Sequence, residues 1–383
     1  MGYTSGGRNS YNQIIGRMMK RLYYIIFTLF TALILGCNKA DQTPEDEAIL
    51  VPTKPYIYLD AGVNTRASLV TGTTLRRNFS VYGYTYDFNN KWSTYRVTAK
   101  PNVFASAPQN VTHSSGTYKY DPVKEWEGGK YTFFAFYPQT VNSSGANDEG
   151  TPYITYAPDF NDAGSHIDIM TAMFEDTSLS SSPYVYFDFY HRMSAVDVVA
   201  MNFYEHSYDD PDAENTVITE RITIEIVDLA LQFENVQYKE AKIYLDRRIP
   251  SVCTEADLGT NPHYQIITED DESGVFINYN EDATLRPITT TLRSSMIFIP
   301  QEKPDLEVTT SVSFRKRRPN GEYLIDPDDG DDVFTQDIDT PFKQPLKEGS
   351  RYYLQMTFTS SAVSISIITS DEWDDIKVDY EFE

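Results

Sequence analysis

Cysteine is nearly absent from this chain: its 383 residues include two, Cys37 and Cys253. If Cys37 is committed to other chemistry, no intrachain disulfide can form and the fold must rest on core burial alone. Positive charge is also scarce. Lys and Arg number 32 against 56 Asp and Glu, for a formal net charge of −24. Such a chain is not expected to bind nucleic acid, because phosphate recognition needs a basic face. The one basic run, Arg315-Lys316-Arg317-Arg318, stands before the turn signal Pro319-Asn320-Gly321 and reads as the solvated tip of a hairpin.

Site chemistry is equally thin. The five histidines, His113, His166, His191, His206 and His263, show no His-x3-His spacing, and no Cys-x2-Cys accompanies them. The acidic stretch around Gly330 resembles a calcium loop superficially but reads better as a solvated acidic loop: with Gly330 at the sixth position of an EF-hand loop, Ile325 falls at the first, where a carboxylate ligand is required. No Gly-x-Ser-x-Gly elbow, P-loop or dinucleotide fingerprint is present. Neither an enzyme nor a metal or cofactor site is expected.

Long apolar runs are confined to Leu22 to Gly36, shorter than the roughly 20 residues a membrane span needs. Met18-Met19-Lys20-Arg21 supplies a basic lead, and the run ends in Ile34-Leu35-Gly36-Cys37, which looks like a lipobox. Translation is expected to start at Met18 or Met19, and residues 1–36 to be removed. Cys37 would then carry the lipid, each buried methylene adding about 0.8 kcal/mol of membrane affinity. The competing reading is an ordinary secretory signal that happens to contain a cysteine.

Residues 37–53 are polar and acidic, with Pro44 and Pro52, as a flexible tether would be. Beyond them the dominant period is two. Phe79, Val81 and Gly83 alternate with Ser80, Tyr82 and Tyr84; Ile222, Ile224 and Ile226 alternate with Thr223, Glu225 and Val227; Tyr352, Leu354, Met356 and Phe358 alternate with Tyr353, Gln355, Thr357 and Thr359. Each run presents one apolar face to a core, as strands do. Abundant Tyr and Phe favour sheet as well. With turn signals at Gly128-Gly129, Asn320-Gly321 and Lys347-Glu348-Gly349, an all-β chain of antiparallel β-sandwiches follows. The domain boundary is expected near Pro183, giving one domain over 54–183 and a second over 184–383.

Four segments carry a likeness: Asn64-Thr65-Arg66-Ala67; Tyr131-Thr132-Phe133-Phe134-Ala135-Phe136-Tyr137-Pro138; Phe189-Tyr190-His191-Arg192-Met193-Ser194-Ala195-Val196; and Leu346-Lys347-Glu348-Gly349-Ser350-Arg351-Tyr352-Tyr353, with Trp373 behind. In this order behind a lipobox, they resemble the fimbrillin family of Bacteroidales lipoproteins, the subunits of type V pili. The resemblance implies two tandem transthyretin-like sandwich domains, export to the outer membrane, and polymerisation with other pilin subunits after an Arg-specific cut removes the first strand. Tyr56-Ile57-Tyr58-Leu59 is short and β-prone and would be that strand, with Arg66 as the cleavage site and Arg76-Arg77 competing. The C-terminal residues Ile376, Val378, Tyr380 and Phe382 alternate with charged ones, as a donor strand requires; they would serve equally as the closing strand of their own domain.

Three functions remain in view. The first is a pilus subunit or pilus-associated adhesin that contacts a host or bacterial surface ligand. The second is a surface glycan-binding lipoprotein, in which Trp92, Trp126 or Trp373 would stack on sugars unless they serve the core. A secreted hydrolase is a distant third, without a site constellation to support it.

Overall fold

The computed structural model describes residues 56–63, 73–145, 151–179, 183–256, 261–268, 274–281, 289–303, 305–325 and 330–370. They fall in the unit that runs from Lys54 onward. Strands dominate, as the period of two requires, and the helical turns Trp92–Tyr95, Arg96–Thr98 and Ala163–Ser165 are a few residues each.

The first part of the chain supplies β1 (Tyr58–Val63), β2 (Thr73–Thr74), β3 (Phe79–Tyr86), β4 (Gln109–Ser114), β5 (Thr117–Lys119) and β6 (Lys130–Tyr137), then β7 (Asn142–Ser144), β8 (Tyr153–Tyr156), β9 (Met170–Thr177) and β10 (Tyr184–His191). Eight of these form one sheet in the order β2-β1-β10-β9-β6-β3-β4-β5, while β7 and β8 leave it. Its pairings are antiparallel except β1 with β10, which run parallel. The segment Tyr184–His191 opens the second domain in the sequence reading. In the structure it belongs by pairing to this first sheet, and the chain departs from it only at Arg192.

The remainder supplies β11 (Ser194–Phe203), β12 (Glu205–Asp209), β13 (Val217–Arg221), β14 (Thr223–Glu234), β15 (Tyr238–Tyr244), β16 (Val252–Glu255), β17 (His263–Ile267), β18 (Val275–Ile277), β19 (Thr290–Phe298), β20 (Glu307–Arg317), β21 (Val333–Pro341), β22 (Arg351–Thr359) and β23 (Val363–Ser370). Two sheets, β19-β11-β22-β23 and β17-β14-β20-β21 with β18 also on β14, face each other. Between them lie Ile222, Ile224, Ile226, Tyr352, Leu354, Met356 and Phe358, the inward members of the alternating runs. A further sheet, β16-β15-β8-β7, mixes strands from both parts of the chain.

Period two fails as a guide to burial in β3. Phe79 and Val81 enter one core, with Phe133, Val185, Phe187 and Phe189. Tyr82, Tyr84 and Tyr86, on the face read as outward, enter another with Trp92, Phe134, Ile154 and Ile243. β3 and β6 are therefore central strands covered on both faces, where aromatic residues on the second face substitute for polar ones. The basic run 315–318 is not simply solvated either. Arg318 Nε lies 2.7 Å from Glu220, Arg315 Nε 3.4 Å from Asp332, and Lys316 Nζ 3.4 Å above the Phe334 ring.

Candidate functional site

The candidate site is β1 and its seat. Ile57, Leu59 and Ala61 are at most 6 % exposed and point into the core shared with Phe79, Phe187 and Phe189, whereas Tyr58 and Asp60 face outward. The strand runs further than the segment Tyr56 to Leu59 read from sequence. Asp60, Ala61 and Gly62 continue it, because the ladder to β10 holds six consecutive positions from Tyr58↔Tyr184 to Val63↔Phe189. Tyr58 N donates to Pro183 O at 3.1 Å, which directs Tyr58, Asp60 and Gly62 toward β10 and leaves Ile57, Leu59 and Ala61 facing the opposite edge.

That opposite edge is stitched rather than laddered. Ile57 N donates to Lys124 O (2.9 Å), the Tyr120 hydroxyl donates to Ile57 O (2.8 Å), and Leu75 N donates to Ala61 O (3.3 Å). β2 pairs only at Gly62 and Val63. The Tyr118 hydroxyl accepts from Arg76 N (3.1 Å) and reaches Ala61 O at 3.5 Å. Burial pushes its phenol up to about 12, and burial also raises Tyr120, so both hydroxyls keep their protons as donors at neutral pH. Between β1 and the β4–β5 hairpin lies a cleft of about 810 Å³ walled by Ile57, Leu59, Pro108, Tyr118, Tyr120 and Val123. Among the described residues no strand runs beside Leu59 on this side. The arrangement holds β1 by one full ladder, three inward side chains, and a short pairing with β2 plus isolated backbone and tyrosine-hydroxyl bonds on the other edge.

A second constellation joins two of the segments singled out in sequence. Arg192 is 1 % exposed. Its Nη1 donates to Tyr244 O (2.7 Å) and Thr171 Oγ1 (3.1 Å), and its Nε stands 2.9 Å from Glu348 Oε1. Burial pushes the guanidinium below its ordinary value and Glu348 opposes this, so the pair keeps the cation charged. Around it, Ser194 Oγ donates to Lys347 O, Gly349 N to Met193 O, and Ala195 N to Ser350 O. Gly349 has φ +70°, and a Cβ there would meet His191 O at 3.3 Å, so glycine suits this close approach. His191 hydrogen-bonds Asp168 at 2.9 Å. The segments 191–195 and 347–351 thus clasp each other where the chain crosses between sheets.

Of the residues expected from sequence to act in processing and assembly, Cys37, Arg66, Ile376, Val378, Tyr380 and Phe382 lie outside the described residues, as does Trp373. Arg76 and Arg77 are exposed between β2 and β3, Arg76 at φ +48°. Trp92 and Trp126 are buried core residues; Trp126 Nε1 donates to Pro183 O beside the β1 ladder. The stitching role of Tyr118 and Tyr120 had no signal in the sequence beyond their being aromatic.

The model of the family described as Fimbrillin-like matches residues 65–373. A search of proteins with curated descriptions returns no match. Among solved structures, a fimbrial protein from Bacteroides vulgatus is 18 % identical, with 83 % of this chain and 99 % of that one covered and a TM-score of 0.57, a likeness of fold. A fimbrilin from Porphyromonas gingivalis is 10 % identical over 79 % of this chain and 89 % of its own, with a TM-score of 0.31. Matched over most of its length by that family model, the chain belongs to the fimbrillin-like family.

Proposed function

We propose that this chain is a pilus subunit or pilus-associated adhesin, exported as an outer-membrane lipoprotein through Cys37 and assembled when β1 is replaced by the C-terminal strand of the next subunit. The observation that supports it most is the asymmetric hold on β1: a complete parallel ladder to β10 on one edge, and on the other a two-residue pairing with β2, isolated backbone bonds and the Tyr120 hydroxyl. Loss of β1 would leave the β10 edge unpaired above Phe79, Phe187 and Phe189. A strand carrying Ile376, Val378, Tyr380 and Phe382 on one face has the period to fill that place, its backbone giving affinity and its alternate side chains register. Cleavage after Arg66, or after Arg77, would detach the subunit from its lipid. The partners are then other pilin subunits, the outer membrane and a surface ligand. Glycan binding is the weaker reading, since Trp92 and Trp126 are buried and the exposed Tyr58 and Tyr184 rings stack on each other at 5.1 Å instead of forming a flat platform.

N-terminal sequencing of assembled material tests the proposal. A start at Ala67 or at Asn78 is expected; a start at Cys37 in polymer would show that β1 stays in place and end the exchange mechanism. Deleting residues 376–383 should leave a folded monomer that does not polymerise. Loss of the cooperative thermal transition would instead make the tail a closing strand of its own domain.

A further inference from the structure

Residues 157–169 join β8 to β9 and lie across two cores. Phe160 and Ala163 pack on the core between the β11 and β14 sheets, whereas Ile167 and Ile169 pack with Tyr82, Phe136 and Ile243. One side chain fastens this segment to β19, the terminal strand of the sheet β19-β11-β22-β23. The amide of Ile297 in β19 donates to His166 Nδ1 at 2.9 Å, and His166 Nε2 lies 3.0 Å from Asp159 O. An amide can only donate and a carbonyl can only accept, so both bonds form together only in the neutral tautomer with its proton on Nε2. Histidine thus covers a backbone amide on the outer edge of an edge strand.

We propose that His166 is an acid-sensitive clip: it holds residues 157–169 against β19 while neutral, and mild acid releases the segment. A second proton must go to Nδ1, where it would face the Ile297 N–H in place of accepting from it. The groups around the ring do not change that outcome. Arg293 from β19 is a like charge, and Tyr264 from β17 and Phe298 from β19 stand edge-on at 5.6 and 6.4 Å. The opposing charges, Asp159 and Asp162, come from the segment itself and also receive Asn161 N and Gly164 N respectively. Burial pushes the imidazole below its ordinary value, Arg293 adding to it and Asp159 and Asp162 working against it. With the closed-state value depressed, the clip is fully effective above about pH 6.5, the ordinary histidine value, and weakens as pH falls below it. Release would bare the Ile297 amide, a strand-edge donor open to another strand.

Hydrogen exchange on the full chain tests this, read as protection factors for peptides covering 157–169 and 290–298 between pH 7.5 and 5.0, alongside the His166 imidazole titration by NMR. Protection should fall as pH drops below about 6.5, at most about tenfold per pH unit, since no more than one proton is taken up per opening. In His166→Asn, an amide oxygen replaces Nδ1 and cannot titrate, so the profile should be flat. Wild-type protection that is unchanged at pH 5.0, or a decline of the same size in His166→Asn, overturns the proposal. If the variant does not fold, the wild-type imidazole decides: a proton taken up at or above pH 6.5 in the native protein refutes the clip.

Discussion

Leu59→Ala and Tyr58→Ala, made singly, measure how β1 is seated. Leu59 is 6 % exposed and points into the core, while Tyr58, one residue away on the opposite face of the same strand, is 47 % exposed. Truncating a buried leucine costs about 2–5 kcal/mol, rising with the cavity left behind. Leu59 also borders the 810 Å³ cleft, so water can enter part of the vacated space, and about 3 kcal/mol is the expected loss. At about 2–4 °C per kcal/mol for a domain of this size, the thermal midpoint should fall by roughly 6–12 °C. Tyr58 loses only its stacking on Tyr184, centroids 5.1 Å apart, which is about 0.5–1.5 kcal/mol. Urea and thermal unfolding at neutral pH, monitored by circular dichroism, provide the comparison. The refuting result is equal losses, or a larger loss for Tyr58→Ala. Either would mean that β1 sits one residue out of the register Leu59↔Val185, because a slip of one exchanges the two faces of a strand.

Three further outcomes are expected. Glu348→Ala should cost about 2 kcal/mol in urea unfolding, since it strands the buried Arg192 cation while Glu348 itself is partly solvated; a double-mutant cycle with Arg192→Leu should show coupling, and strict additivity would dismiss the pair. Gly349→Ala should destabilise by about 1–2 kcal/mol through its left-handed backbone and the approach to His191 O, and a gain in thermal midpoint would contradict that reasoning. Cys37→Ser should remove fatty-acid labelling and leave unprocessed or soluble precursor; labelling at the wild-type level would rule out Cys37 as the anchor.

The sequence by itself determined the kind of structure. Alternation in Ile222–Ile226 and Tyr352–Phe358 requires strands with one apolar face, and both runs line the same core. A near absence of cysteine left burial as the stabilising term, and the segments around Tyr131, Phe189 and Leu346 carried the family likeness. Tyr56 to Leu59 was legible as a short β-prone strand, yet its continuation through Asp60, Ala61 and Gly62 was not, because weak strand formers are overruled once a neighbouring strand supplies the ladder. Tertiary structure alone decided the neighbours. Period two tells which side of a strand meets a core, but it carries no information on which strand lies beside it, or on whether a second core covers the other face. For that reason the parallel seat of β1 on β10, the double burial of β3, the clasp between 191–195 and 347–351, and the seating of His166 on β19 had no signature in composition or spacing. Each depends on contacts between residues far apart in the chain, which form only when the sheets are brought together.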